Sequence, residues 1–208
     1  MLTCQSLKKS SIFSAFLLVA LFSFTSCGEK HEVDSKEVAT ALNEPKSDVT
    51  KERDEKFLVR AAEINFEEIM LGKLAQQRTA SDDIKAMAKV FEETHRTANS
   101  ELRAMAMTKK IAVPTAATKS VMEEYDQLNA ISTKDFDREY CSLAVKNHQE
   151  AISYFETYTG GNCDEDIKNW ALGVLPDIRI HLQKALEMEM QMTSPVSELL
   201  PESKKVRL

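Results

Sequence analysis

An all-α fold, a four-helix bundle with a short extra helix in the connector between its second and third helices, is predicted by three features of the 208-residue sequence. Four segments of helix length carry apolar residues at three- and four-residue steps. Each holds one metal-capable side chain near the middle of its apolar stripe: Glu68, His95, His148 and His181. Turn and cap residues separate the segments, and only five glycines and five prolines are spread over the whole chain to interrupt helices.

The chain opens with Lys8-Lys9 and an apolar run from Ile12 to Phe24, closing on Thr25-Ser26 before Cys27. Such a run is too short for a membrane span and reads as a secretory signal. Phe24-Thr25-Ser26-Cys27-Gly28 resembles a bacterial lipobox, with Phe24 where leucine is usual. The resemblance implies removal of residues 1–26 and lipidation of Cys27. That places the protein in a bacterial cell envelope, anchored to a membrane and facing the periplasm or the cell surface. The next stretch, 27–53, is rich in Glu, Lys, Asp and Ser and poor in large apolar side chains, so it predicts a flexible polar tether.

The bundle is expected over 54–192, long enough for one helical core, with 193–208 as a flexible tail. Helix one spans about Asp54 to Arg78, with Phe57, Ala61, Ile64, Leu71 and Ala75 on one stripe and Glu68 at its missing step. Helix two starts behind Ser81 and reaches about Met107, with Ile84, Met87, Ala88, Phe91, Ala98, Leu102 and Met105 around His95. A connector containing Pro114 and a helical stretch from Lys119 to Ala130 follows; it either turns back or crosses the bundle's length.

Helix three opens on the N-cap-like pair Ser132 and Asp135 and carries Phe136, Tyr140, Ala144, Ala151 and Phe155 beside His148, ending at Gly160-Gly161. Helix four spans about Asp164 to Met192, with Ile167, Ala171, Val174, Ile178, Ala185 and Met188 beside His181. Pro176 inside it removes a backbone donor, predicting a kink and a freed carbonyl near the site.

Antiparallel helices bring level those residues that lie equally far from their turn. Glu68 and His95 centre between Ser81 and Asp82, and His148 and His181 centre between Asp164 and Glu165. Both midpoints fall on turn chemistry, so the four side chains are expected to share one layer.

Several stretches resemble a bacterial envelope family catalogued as a domain of unknown function (DUF4142) and assigned a ferritin-like helical fold. They are Glu68 to Ala75, His95-Arg96-Thr97-Ala98-Asn99 with Leu102, Phe136-Asp137 through Tyr140 to His148, and Leu175-Pro176 with His181-Leu182. The resemblance covers about Phe57 to Met188, and Thr94 stands where the family often has Asp. It implies a ferritin-like bundle in lipoprotein form with metal-site ancestry, and it implies no particular reaction.

Ferritin-like di-iron sites use a Glu from each of two helices and a Glu-x-x-His pair from each of the others. One such pair, Glu92 and His95, is present, and Asp177 precedes His181 by four residues. Rich in imidazole and poor in carboxylate, the set suits one transition-metal ion (Zn, Fe, Cu or Mn) better than an oxygen-bridged pair. Its ligands would be Glu68, His95, His148 and His181, with Glu92, Tyr140 and Asp177 as supporting groups around them. The alternative is a metal-free network, in which a buried Glu and three histidines satisfy one another by hydrogen bonds.

Other chemistry is thinly represented. Cys141 and Cys163 lie at opposite ends of a long helix, which predicts no disulfide. Met188, Met190 and Met192 would suit a soft metal, but Met190 faces away from the other two on a helix. There is no Gly-rich phosphate loop, Ser-His-Asp pattern or zinc Cys cluster, so no catalytic residue is assigned. A net charge of -6, or -8 once Lys8 and Lys9 leave with the signal, argues against nucleic acid as a partner. Two function classes remain open: metal handling or metal-dependent redox and stress protection, and a noncatalytic helical module that binds a protein partner.

Overall fold

The computed structural model describes residues 33–43 and 48–193. The signal at 1–26, Cys27, and the tail from 194 lie outside the described residues. Six helices form, and the described residues contain no strand: α1 (Ser35–Leu42), α2 (Val49–Arg78), α3 (Asp82–Lys109), α4 (Lys119–Ala130), α5 (Thr133–Thr159) and α6 (Glu165–Thr193). The four long helices and the short connector helix appear where the periodicity puts them.

The starts of α3 and α6 have a local cause. Ser81 Oγ accepts from the Ile84 amide at 3.3 Å, and Asp164 Oδ1 accepts from the amides of Asp166 and Ile167 at 3.0 and 3.2 Å. These bonds satisfy amides that the first turn of a helix leaves unpaired. Helix α3 ends on Lys110 in the left-handed conformation at φ 56°, where its amide closes back onto Ala106 and Met107.

Contacts at the helix ends fix the topology. Arg53, near the start of α2, grips the carbonyls of Thr157 and Tyr158 at the end of α5, at 2.7 and 2.9 Å. Lys109, at the end of α3, binds Asp164 and Asp166 at the start of α6. Arg78, at the end of α2, donates to the Ile131 carbonyl at 2.7 Å and lies over the Phe136 ring at the start of α5. Thus α2 and α6 run one way and α3 and α5 the other. The connector with α4 crosses the length of the bundle between them.

The core has two apolar parts. One holds Phe57, Leu58, Leu102, Phe155, Tyr158, Ile167 and Ile178, where Phe57 and Tyr158 stack at 3.7 Å between centroids. The other holds Leu71, Ile84, Phe91, Phe136, Tyr140 and Ala185. The stripe residues expected from the sequence are buried, apart from Met105, Val174 and Met188, which are partly buried. Between the two parts, every long helix contributes a buried polar residue to one internal layer: Asn65 and Glu68 from α2, His95 from α3, His148 from α5 and His181 from α6.

Two expectations need correction. The tether predicted over 27–53 includes α1 and the first residues of α2, which begins at Val49. Asp34 and Asp48 cap these helices, and α1 docks on the bundle. Its Ala39 is buried, Lys36 Nζ reaches Glu63 Oε2 at 2.9 Å, and Asn43 exchanges two hydrogen bonds with the Ala112 backbone. A polar helix needs few apolar side chains of its own when ion pairs and a ready-made surface hold it. The second correction concerns the carbonyl that Pro176 frees, which was expected near the site. Helix α6 continues through the proline, and Pro176 and Leu172, whose carbonyl the proline leaves free, are both exposed. That carbonyl lies on the outer face of α6, away from the layer.

Candidate metal centre

The centre is built from the mid-points of three helices: His95 on α3, His148 on α5 and His181 on α6, all 1–3% exposed. One ligand nitrogen from each lies within 4.8 Å of the others. Their ring centroids form a near-equilateral triangle with sides of 5.7, 5.3 and 5.3 Å. Phe91, one helical turn before His95, stacks on His181 at 4.3 Å and closes the apolar side.

Hydrogen bonds decide which nitrogens carry lone pairs. His148 Nδ1 lies 2.8 Å from the Ala144 carbonyl, which can only accept, so Nδ1 carries the proton and Nε2 is bare. The Asn65 amide oxygen, 2.9 Å from His95 Nδ1, fixes His95 in the same form. His95 Nε2 is therefore a bare, buried lone pair, and it has no hydrogen-bond partner. His148 Nε2 and His181 Nδ1 are 3.3 Å apart.

Burial holds all three imidazoles in the neutral form that metals require. It keeps His95 well below the usual histidine range, with help from the neighbouring His148 and His181. His148 is lowered to about 4 by burial, against the opposing pull of its bond to Ala144. His181 is lowered to about 3 by burial and by His148.

Glu68 enters the layer differently from the expected fourth ligand. Its Oε1 lies 3.7 Å from His148 Nδ1, the nitrogen on the other edge of the ring from the one facing His181. It stands outside the three-histidine cluster. Burial and the nearby Glu124 raise its carboxyl to about 8. Tyr140 is buried with its hydroxyl unpaired; burial and the charge of Glu68 push its pKa well up.

The other two supporting groups face elsewhere. The Glu92 carboxylate is taken by Gln76 at 2.7 Å and by Arg96. Asp177 is exposed. Positions three or four residues from a buried histidine lie 40–60° around the helix from it, enough to carry a side chain off the stripe's edge.

Sequence reasoning missed Asn65, which orients His95; it sits three residues before Glu68 on the same buried face, a spacing that could have flagged it. Glu67 flanks the stripe of helix one, as the sequence suggests for a supporting group, and Asn147 reaches both Glu67 and Glu124 at 3.3 Å. Burial and hydrogen bonding to Glu124 raise Glu67 to about 9. Its partner comes from the crossover helix, which no local pattern reveals. Cys141 and Cys163 are free, as expected, and burial raises the Cys141 thiol to about 12. Met188 and Met192 pack on the second apolar part, whereas Met190 is exposed. No helix among the described residues is long and apolar enough to cross a membrane.

A helical bundle with three buried, neutral histidines converging in its middle is the class of protein that these observations define. The chain belongs to the family described as "Domain of unknown function (DUF4142)", whose model matches residues 39–188. No curated protein and no solved structure is significantly similar to it.

Proposed function

We propose that the protein binds one transition-metal ion through His95, His148 and His181 and serves in metal handling or in redox or stress protection. The observation that carries this reading is the bare Nε2 of His95, buried without a partner beside two further imidazole lone-pair positions. A metal-free network can use the 3.3 Å contact between His148 and His181, but it leaves His95 Nε2 unsatisfied. An unpaired buried acceptor costs about 1–3 kcal/mol. Two nitrogens bound to a tetrahedral ion at about 2.0–2.1 Å stand about 3.3–3.4 Å apart, the spacing found here.

The groups behind the rings support the same reading. Ligating histidines typically donate their other N–H to an oxygen, which fixes ring and tautomer. Asn65 and the Ala144 carbonyl do this for His95 and His148, and Glu68 lies beside the second bond. With three neutral protein ligands, a bound ion keeps its positive charge and can act as a Lewis acid or an electron carrier at a remaining position. The up-down-down-up order with one long crossover is also the arrangement of ferritin-like bundles.

The test is thermal stability after chelator treatment, with and without Zn, Cu, Fe and Mn. Ligation predicts about one ion per chain and a gain of about 2.7 kcal/mol at 100 times Kd, most of which His148→Ala loses. A melting temperature indifferent to all four metals, or an unchanged response in His148→Ala, would move the protein to the noncatalytic class.

The same proposal anchors the bundle in a bacterial envelope through lipid on Cys27, on the strength of the Phe24 to Gly28 sequence. Wild type should partition with membranes and Cys27→Ser should not. An unlipidated, soluble wild type would remove the anchor.

A further inference from the structure

We propose that the outer face of α6 pairs with the same face of a second copy of this chain, antiparallel about a two-fold axis at Pro176. The buried side of α6 carries Ile167, Ala171, Ile178 and Ala185. Half a turn around the helix from them, Leu172, Pro176 and Ile180 recur at four-residue steps on the exposed side, with Leu172 47% and Ile180 54% exposed. The inference rests on neither the metal reading nor the lipid anchor.

The stripe reads alike in both directions from Pro176. Four residues out lie Leu172 and Ile180, and seven residues out lie Asn169 and Gln183, both exposed amides. A two-fold contact is self-complementary, and antiparallel pairing sets apolar on apolar and amide on amide. It also brings Lys184 and Glu187 of one copy to Lys168 and Glu165 of the other, two charges of each sign at both ends. Parallel pairing would instead set each charge level with its own like. Gly173 supplies the room. Glycine inside a helix is less favourable than alanine, yet a Cβ here would meet nothing within 4 Å, so packing among the described residues does not require it. It stands in a groove of about 470 Å³ between α3 and α6, lined also by Thr94, Thr97 and Val174. In the antiparallel pair, Ile180 of the second copy comes level with Leu172 and enters this groove beside Gly173. One helix face makes a small interface, below the roughly 1,200 Å² of stable complexes, so the pairing is transient.

Disulfide trapping in the full chain tests this geometry, in a Cys163→Ser background that removes the half-buried free thiol and is itself the baseline. A disulfide needs Cα atoms within about 7 Å, and residue 176 meets its own counterpart at the axis. Pro176→Cys, an exposed position where loss of the proline only favours the helix, should therefore cross-link into dimers under mild oxidation. Gln183→Cys alone should not, because its two copies lie about 21 Å apart at 1.5 Å rise per residue. Asn169→Cys combined with Gln183→Cys should cross-link again. Leu172→Glu and Ile180→Glu, both at exposed positions, should each cut the Pro176→Cys dimer about tenfold, since each sets two unpaired carboxylates against the other copy. No dimer from Pro176→Cys, a dimer from Gln183→Cys alone, none from the double variant, or a yield unchanged by either glutamate would overturn the proposal.

Discussion

A histidine offers a metal the nitrogen that its other nitrogen's hydrogen bond leaves bare, so the neighbours of each ring matter as much as the ring. Asn65 holds His95 in that state with a 2.9 Å bond, and nothing else in the layer bonds that Nδ1. Removing its amide frees the tautomer and the ring orientation. Asn65→Ala should therefore weaken metal binding about 10–100-fold, read by competition with a chromophoric chelator. Asn65→Asp, which keeps an acceptor, should retain most of the affinity. Equal affinity in wild type and Asn65→Ala would mean that Asn65 does not position His95. The residue scale is also where sequence reading is weakest. Glu68 was legible as a buried acid, but which edge of His148 it faces depends on the distance between α2 and α5, and no spacing within either helix encodes that.

At the scale of elements, the layer depends on how closely α2 and α3 approach. Gly72 lets them touch: a Cβ there would meet the Ala88 carbonyl oxygen at 2.9 Å and the Glu92 Cβ at 3.3 Å. The first contact is with backbone, which cannot swing aside as a side-chain tip would. Alanine is the better helix former by about 1 kcal/mol, but overpacking at a tight helix contact costs about 1–3 kcal/mol. Gly72→Ala should therefore be net destabilising, by about 1 kcal/mol, and should lower the urea midpoint. A raised midpoint would show that the helices can part here without loss. The helices themselves were readable because apolar stripes repeat locally, and their ends because Ser81, Ser132, Gly160 and Asp164 carry turn and cap chemistry. Helix α1 was not readable. Its eight residues are held by Lys36, Asn43 and Ala39 against surfaces made by α2 and the connector, tens of residues away in sequence.

For the molecule as a whole, the buried histidines and buried acids pull stability in opposite directions with pH. The three histidines have lowered pKa values, so their contribution is present above the ordinary value of 6.5 and is lost as pH falls through the folded values. Glu67 and Glu68 are raised to about 9 and about 8, so theirs is present below the ordinary 4.5 and is lost as pH rises through those values. Between 4.5 and 6.5 three histidines outweigh two acids, and above 6.5 only the acids still change. The metal-free protein should thus be most stable near about pH 6.5, with stability falling on both sides, as measured by denaturant melts across pH. A stability that keeps rising from 6.5 to 9 would contradict the buried, protonated state of Glu67 and Glu68.

The sequence by itself determined four long helices and a short one, the turns between them, and a layer in which His95, His148 and His181 meet. Periodicity and equal distance from a turn are properties of one helix or one hairpin, and a single chain records both. Only the tertiary structure decided that the connector crosses the bundle, that Glu68 stands behind His148, that Asn65 orients His95, that Glu92 turns to Gln76 and Arg96, and that Asp177 faces solvent. Those outcomes depend on how far apart and at what rotation separate helices pack. Many side chains far apart in sequence set that packing together, so no local spacing carries it.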